Sequence, residues 1–130
     1  MCFTISDNKQ WNKPRIAKKD IIVWKVFGSI SEDYCISQFL DFSYTYNIQY
    51  NTVFTYSNRK IELKDTKNIE QGFHSYSKKA VKMFYKNGKR RTIKCIIPKG
   101  TRYYYNPEEL EYVSNSIIVT NERFYKDKEE

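Results

Sequence analysis

The chain has 130 residues, room for one domain with a modest core and too few for two. Its 23 basic residues outnumber 15 acidic ones, a formal charge of +8. Ten of the basic residues and no acidic one fall between Lys78 and Arg102, leaving thirteen against fifteen elsewhere, so the excess is local. The longest apolar runs fall short of a membrane span, and no apolar leader opens the chain. Three cysteines, an odd number without a CxxC pair, exclude a disulfide framework and fit a reducing cytoplasm.

In chain order, residues 1–20 mix Lys, Asn and Pro14 with few apolar side chains and read as an N-terminal arm, mobile or draped. Ile21–Phe27 (IIVWKVF) is β-branched and aromatic, is ended by Gly28, and predicts a central strand. Ser31–Leu40 fits either a short helix or an irregular loop. Phe42–Tyr56 alternates in part and predicts two short strands turning near Asn47, or one long bent strand. Ile61–Leu63 fits a short edge strand.

Ser77 is placed to cap a helix over about residues 77–87, with Ala80, Val81, Phe84 and Tyr85 on one face and Lys78, Lys82 and Lys86 on the other. Asn87-Gly88 supplies its stop. Thr92–Ile97, Tyr103–Tyr105 and Ser116–Thr120 predict further extended segments, and residues 126–130 a disordered polar tail. The predicted class is α+β: one domain over residues 21–125, a mainly antiparallel twisted sheet with one clear amphipathic helix.

The chemistry-bearing residues gather between Gly72 and Tyr105. Arg90, Arg91, Lys99 and Arg102 are candidates to hold phosphates, Arg offering bidentate geometry. Tyr103 and Tyr105 are candidates to stack on a base. His74, the one histidine, and Ser75 are candidates to fix polar edges of a ligand. The plainer alternatives are tyrosines packed inward from an edge strand, Ser75 as a simple cap, and His74 as a hydrogen-bond donor at a turn, while Lys78, Lys82 and Lys86 read as a solvated helix face. Widely spaced glycines exclude a P-loop, and neither a metal-ligand spacing nor a cofactor motif is present.

The segments MCFT, AKKDIIVWKVF, GFHSY, IKCIIPKGTRYYY and YVSNSIIV together resemble a family of small phage and bacterial (Bacteroidetes-like) proteins, GFHS and IPKGT-Y-Y being the sharpest parts. The chain also resembles, more distantly, the ADP-ribosyltransferase fold, with Val23–Val26, Gly72–Ser75 and Glu111 in the places of its nucleotide reader, strand-to-helix turn and catalytic carboxylate. Gly72-Phe73-His74-Ser75-Tyr76 stands where that family has Ser-Thr-Ser, and Glu111 lacks a paired acidic motif. The resemblance implies a degenerate relative that binds a related nucleotide without transfer.

The sequence thus predicts non-enzymatic binding of a small anionic, phosphorylated ligand by a homodimer or higher homo-oligomer in the bacterial host cytoplasm. A phage sponge for a cyclic-nucleotide or ADP-ribose-type immune signal is the concrete form. The alternatives are a nucleic-acid- or protein-binding inhibitor of a defence complex, and a transferase or hydrolase using Glu111.

Overall fold

The computed structural model describes residues 3–37, 42–61, 64–84 and 91–124. The N-terminal arm contributes β1 (Phe3–Thr4) and β2 (Arg15–Ile16). Then come β3 (Ile21–Ile30), β4 (Tyr34–Ser37), β5 (Ser43–Thr45), β6 (Gln49–Asn51), and the long hairpin β7 (Thr55–Ile61) and β8 (Lys64–Gln71). After β9 (Phe73–Tyr76) and the helix α1 (Lys78–Phe84) follow β10 (Thr92–Ile97), β11 (Arg102–Asn106), β12 (Glu111–Ser114) and β13 (Ser116–Arg123).

Every strand pair is antiparallel. The large sheet runs β2-β11-β12-β9-β3-β10-β13-β6, with β4 and β5 branching from β3, and a small sheet runs β1-β8-β7. The expected α+β class with a clear amphipathic helix is therefore overturned: the protein is mostly antiparallel sheet, with a single seven-residue helix among the described residues. The N-cap was legible, since Ser77 Oγ accepts from the Ala80 amide at 3.2 Å. Within its described residues the helix shows little amphipathic character. Lys78 and Lys79 put cations at the positive end of the dipole, Lys82 repels Lys78 one turn away, and Ala80 and Val81 are fully buried. The remainder of the predicted helix, with its Asn87-Gly88 stop, lies outside the described residues, as do the tail 126–130 and part of the Ile61–Leu63 segment. No described helix is long and apolar enough to cross a membrane.

Two cores lie on opposite faces of the large sheet. Strand alternation sends Val23, Phe27, Phe73, Cys95 and Val119 to one face, where Cys35 of β4 and Tyr44 of β5 fold over them. Val113 and Tyr104 point to the other face, where Phe3 and Ile69 of the small sheet cover them. The arm is thus draped along the sheet: Asn106 Nδ2 donates to the Thr4 carbonyl at 2.7 Å, and the Ala17 amide to the Thr101 carbonyl at 2.8 Å.

Gly72 joins the small sheet to the large one at a point with no room for a side chain. A Cβ there would lie 2.5 Å from Val113 Cγ2 and 3.2 Å from the Phe54 ring. Because Val113 is fully buried, it has no space into which to retreat. Gly72→Ala is expected to cost about 1–3 kcal/mol by overpacking, measured by urea denaturation; unchanged stability would show that the two sheets do not close this tightly.

Candidate functional site

β3 pairs with β10 along one edge from Ile21 to Val26. Its other edge is shared. β9 meets it at Trp24, opposite Tyr76, and β4 takes over from Phe27 to Ile30. Lys25 sits in this fork, on the same face as Val23 and Phe27, so its stem enters the main core. Its Nζ donates to the His74 carbonyl of β9, across the fork. Lys25 is half-buried. Burial lowers the Lys25 pKa from 10.5, an effect opposed by its neighbours Cys95, Glu111 and Cys35.

Those neighbours occupy both faces. On the core face, Cys35 and Cys95 are fully buried free thiols, each pushed up to about 12 by burial, with Lys25 pulling the other way. On the opposite face, His74 Nδ1 lies 3.2 Å from Glu111 Oε2, with side chains only 16% and 6% exposed. Glu109 sits beside Glu111, its pKa raised by burial and then by the repulsion and hydrogen bond between the two carboxyls. His74 Nε2 is buried and has no hydrogen-bond partner among the described residues.

His74 and Ser75 are adjacent on a strand, so they point to opposite faces and do not meet one ligand together. His74 shares its face with Glu111 and Val113. Ser75, fully buried, faces the core side opposite Tyr112, and its Oγ also lacks a partner among the described residues.

The tyrosines do converge. Tyr103 and Tyr105 alternate onto one face of β11, and Tyr112 of β12 lies between them, ring centroids 6.1 Å and 4.5 Å away. Trp11 of the arm packs edge-on to Tyr105 at 5.1 Å, and the Arg15 guanidinium stands 4.0 Å over Trp11. All four rings are half-buried. Tyr112 packs against the main core from below, which burial registers by pushing its pKa up to about 12.

The basic residues expected to hold phosphates do not gather at these rings. Arg102 precedes Tyr103 and points to the opposite face, beside Tyr104. Arg91 Nη1 donates to the Gly28 carbonyl at 3.1 Å, at one end of β10. Lys99 lies past the other end, its amide held by Asp20 Oδ1 at 2.8 Å, so a six-residue strand of roughly 20 Å separates the two. Arg90 lies outside the described residues. The cation at the rings is Arg15, with exposed Lys9 and Lys13 on the same arm.

Sequence reasoning passed over Trp11, Arg15, Lys25 and Tyr112. Lys25 had a readable signal: in IIVWKVF it occupies the parity of Val23 and Phe27, a charge at a core position. The arm residues had none, because only the pairing of β2 with β11 brings them to the tyrosines. The chain matches no family model, no curated protein and no solved structure.

Two outcomes follow from the fork. Lys25→Ala leaves a cavity and removes the hydrogen bond to the His74 carbonyl, and is expected to cost about 2–4 kcal/mol, whereas Lys25→Met refills the stem's space and recovers most of it; equal losses in urea denaturation would remove packing as the cause.

The thiols set an alkaline limit. Their native pKa values of about 12 lie above the ordinary 9.0, so the native state keeps protons that the unfolded chain releases. That contribution is complete below pH 9 and is lost as pH rises toward 12. Lys25 acts in the opposite sense up to 10.5 but is one group against two thiols and Tyr112. Stability should therefore fall between pH 9 and 11, with a smaller slope in Cys95→Ala; identical slopes would contradict the assignment.

Proposed function

We propose that the protein binds, without turning it over, a ring-bearing anionic ligand of the nucleotide class on the face formed by Trp11, Tyr103, Tyr105 and Tyr112. The observation that carries this reading is the contiguity of those rings, with Arg15 already seated over one of them. Aromatic faces stack on any base, and a guanidinium beside them meets a phosphate with two parallel hydrogen bonds. The platform is backed by a sheet and by core packing under Tyr112, so little order has to be gained on binding.

Binding is favoured over catalysis by the state of the one histidine. A general base must reach its substrate, and His74 Nε2 is enclosed under the small sheet while Nδ1 is turned to Glu111. Retention without turnover is what a sponge for a cyclic-nucleotide or ADP-ribose-type immune signal requires. The step to a phage protein acting in the bacterial cytoplasm rests on the sequence resemblance. A row of mutually tilted rings covers one side of a ligand's ring, and a second copy of the chain would close the other.

Calorimetry against cyclic dinucleotides, ADP-ribose and short single-stranded oligonucleotides tests this. Micromolar binding of a dinucleotide-sized ligand is expected, weakened about tenfold to a hundredfold in Tyr103→Ala or Tyr105→Ala. The ligand should be recovered unchanged after denaturation. Affinity that grows with oligonucleotide length and falls steeply with salt would replace a small ligand with a nucleic acid. Absence of binding at high micromolar concentrations would end the proposal.

A further inference from the structure

The face of the large sheet turned away from the main core carries Val113, His74, Trp24 and Ile22. Over β12 the small sheet helps to close it, through Phe3 and Ile69. Over β3, β10 and β13 the same face presents isoleucines. Register puts Ile96 of β10 between Ile22 of β3 and Ile118 of β13, so the three form one row across adjacent strands. They belong to neither core cluster, and Ile22 is 48% exposed. Cross-strand β-branched side chains make a ridge that a sheet ordinarily buries against another layer. Here the ridge stands partly in solvent.

Shape and charge together decide what covers it. A ridge on a sheet encloses no small molecule, whereas two twisted sheets pack face to face with their side chains interdigitated. Within β3, β10 and β13 the charged side chains of this face are Lys94 and Glu122, and they are bridged to each other at 3.6 Å. The row is therefore flanked by charges that cancel. The chain as a whole carries +8, so two copies repel wherever their cationic segments meet. They can approach through a surface whose own charge is balanced, as this one is. A nucleic acid or an anionic membrane finds no net positive charge on these strands to hold it.

We propose that this row is where two copies of the chain meet, Ile22, Ile96 and Ile118 of each packing between those of the other. The tyrosine face is on the opposite side of the sheet, with the main core, so it stays free in such a pair and the two proposals are independent. Closing a ligand over the tyrosines takes a separate contact between copies.

Sedimentation equilibrium of the full chain, over concentrations up to high micromolar, tests this. The expected result is a reversible monomer–dimer equilibrium. Ile22→Thr, which keeps a β-branched side chain, should weaken it about tenfold, and Ile22→Lys about a hundredfold or more. Glu122→Lys leaves the row intact but puts two cations on its flank, and should weaken the dimer more at low salt than at high salt. Ile22 and Glu122 are exposed in a single copy, so these variants keep the fold, which urea denaturation checks. A monomer at every concentration, a dimer that survives Ile22→Lys, or association only on anionic vesicles or an oligonucleotide would each overturn the proposal.

Discussion

The structure turns on the single hydrogen bond that Lys25 makes to the His74 carbonyl. An antiparallel sheet that branches must leave backbone groups unpaired where one neighbour departs and the next has not yet arrived. On β3 this happens between Trp24 and Phe27. At this fork Lys25 reaches the His74 carbonyl of β9, so one side chain ties the diverging strands together. Lysine does this on a four-carbon stem that also fills the core beside Phe27, whose ring lies 6.0 Å from the ammonium. The arrangement imposes a charge on an apolar interior. Burial lowers the Lys25 pKa, Cys95, Glu111 and Cys35 oppose that shift, and Glu111 in turn meets His74 on the far face.

Once the fork is held, the remaining architecture follows. β4 and β5 are free to turn over the core face and bury Cys35 and Tyr44, while β9 carries β12 and β11 outward. The outer strands extend beyond the cover provided by β4 and β5. Their residues on that face, Tyr103, Tyr105 and Tyr112, are therefore backed by the core but only half enclosed. The arm then crosses β11 and adds Trp11 and Arg15. Half-buried, mutually packed rings on a stiff sheet are a binding surface by construction, because their conformational entropy is already low.

Strand content was legible where apolar and β-branched residues ran together: IIVWKVF, TIKCII and SIIVT all form strands. The turn near Asn47 was legible as well, and its positive φ is one that Asn tolerates. The hairpin Thr55–Gln71 was not. Its strands are rich in Asn, Lys, Asp and Glu, so the period-2 signal is faint and tertiary pairing decides the outcome. The helix was over-read as a clear amphipathic element: over Lys78–Phe84 the described residues show a capping serine and two buried side chains, Ala80 and Val81. At the site, proximity in sequence misled. Arg102 stands next to Tyr103, yet alternation puts the two on opposite faces, whereas Arg15, almost ninety positions earlier, reaches the rings through strand pairing.

The central claim is that the ring ladder, and not the cationic segment after α1, meets the ligand. The most direct measurement is an NMR titration with ADP-ribose of protein carrying labelled tyrosine and tryptophan rings and labelled backbone amides. The account predicts saturable shifts shared by the Trp11 indole and the Tyr103, Tyr105 and Tyr112 rings, with the Arg91 and Lys99 amides unmoved. Saturable shifts at Arg91 and Lys99 with unmoved rings would contradict it.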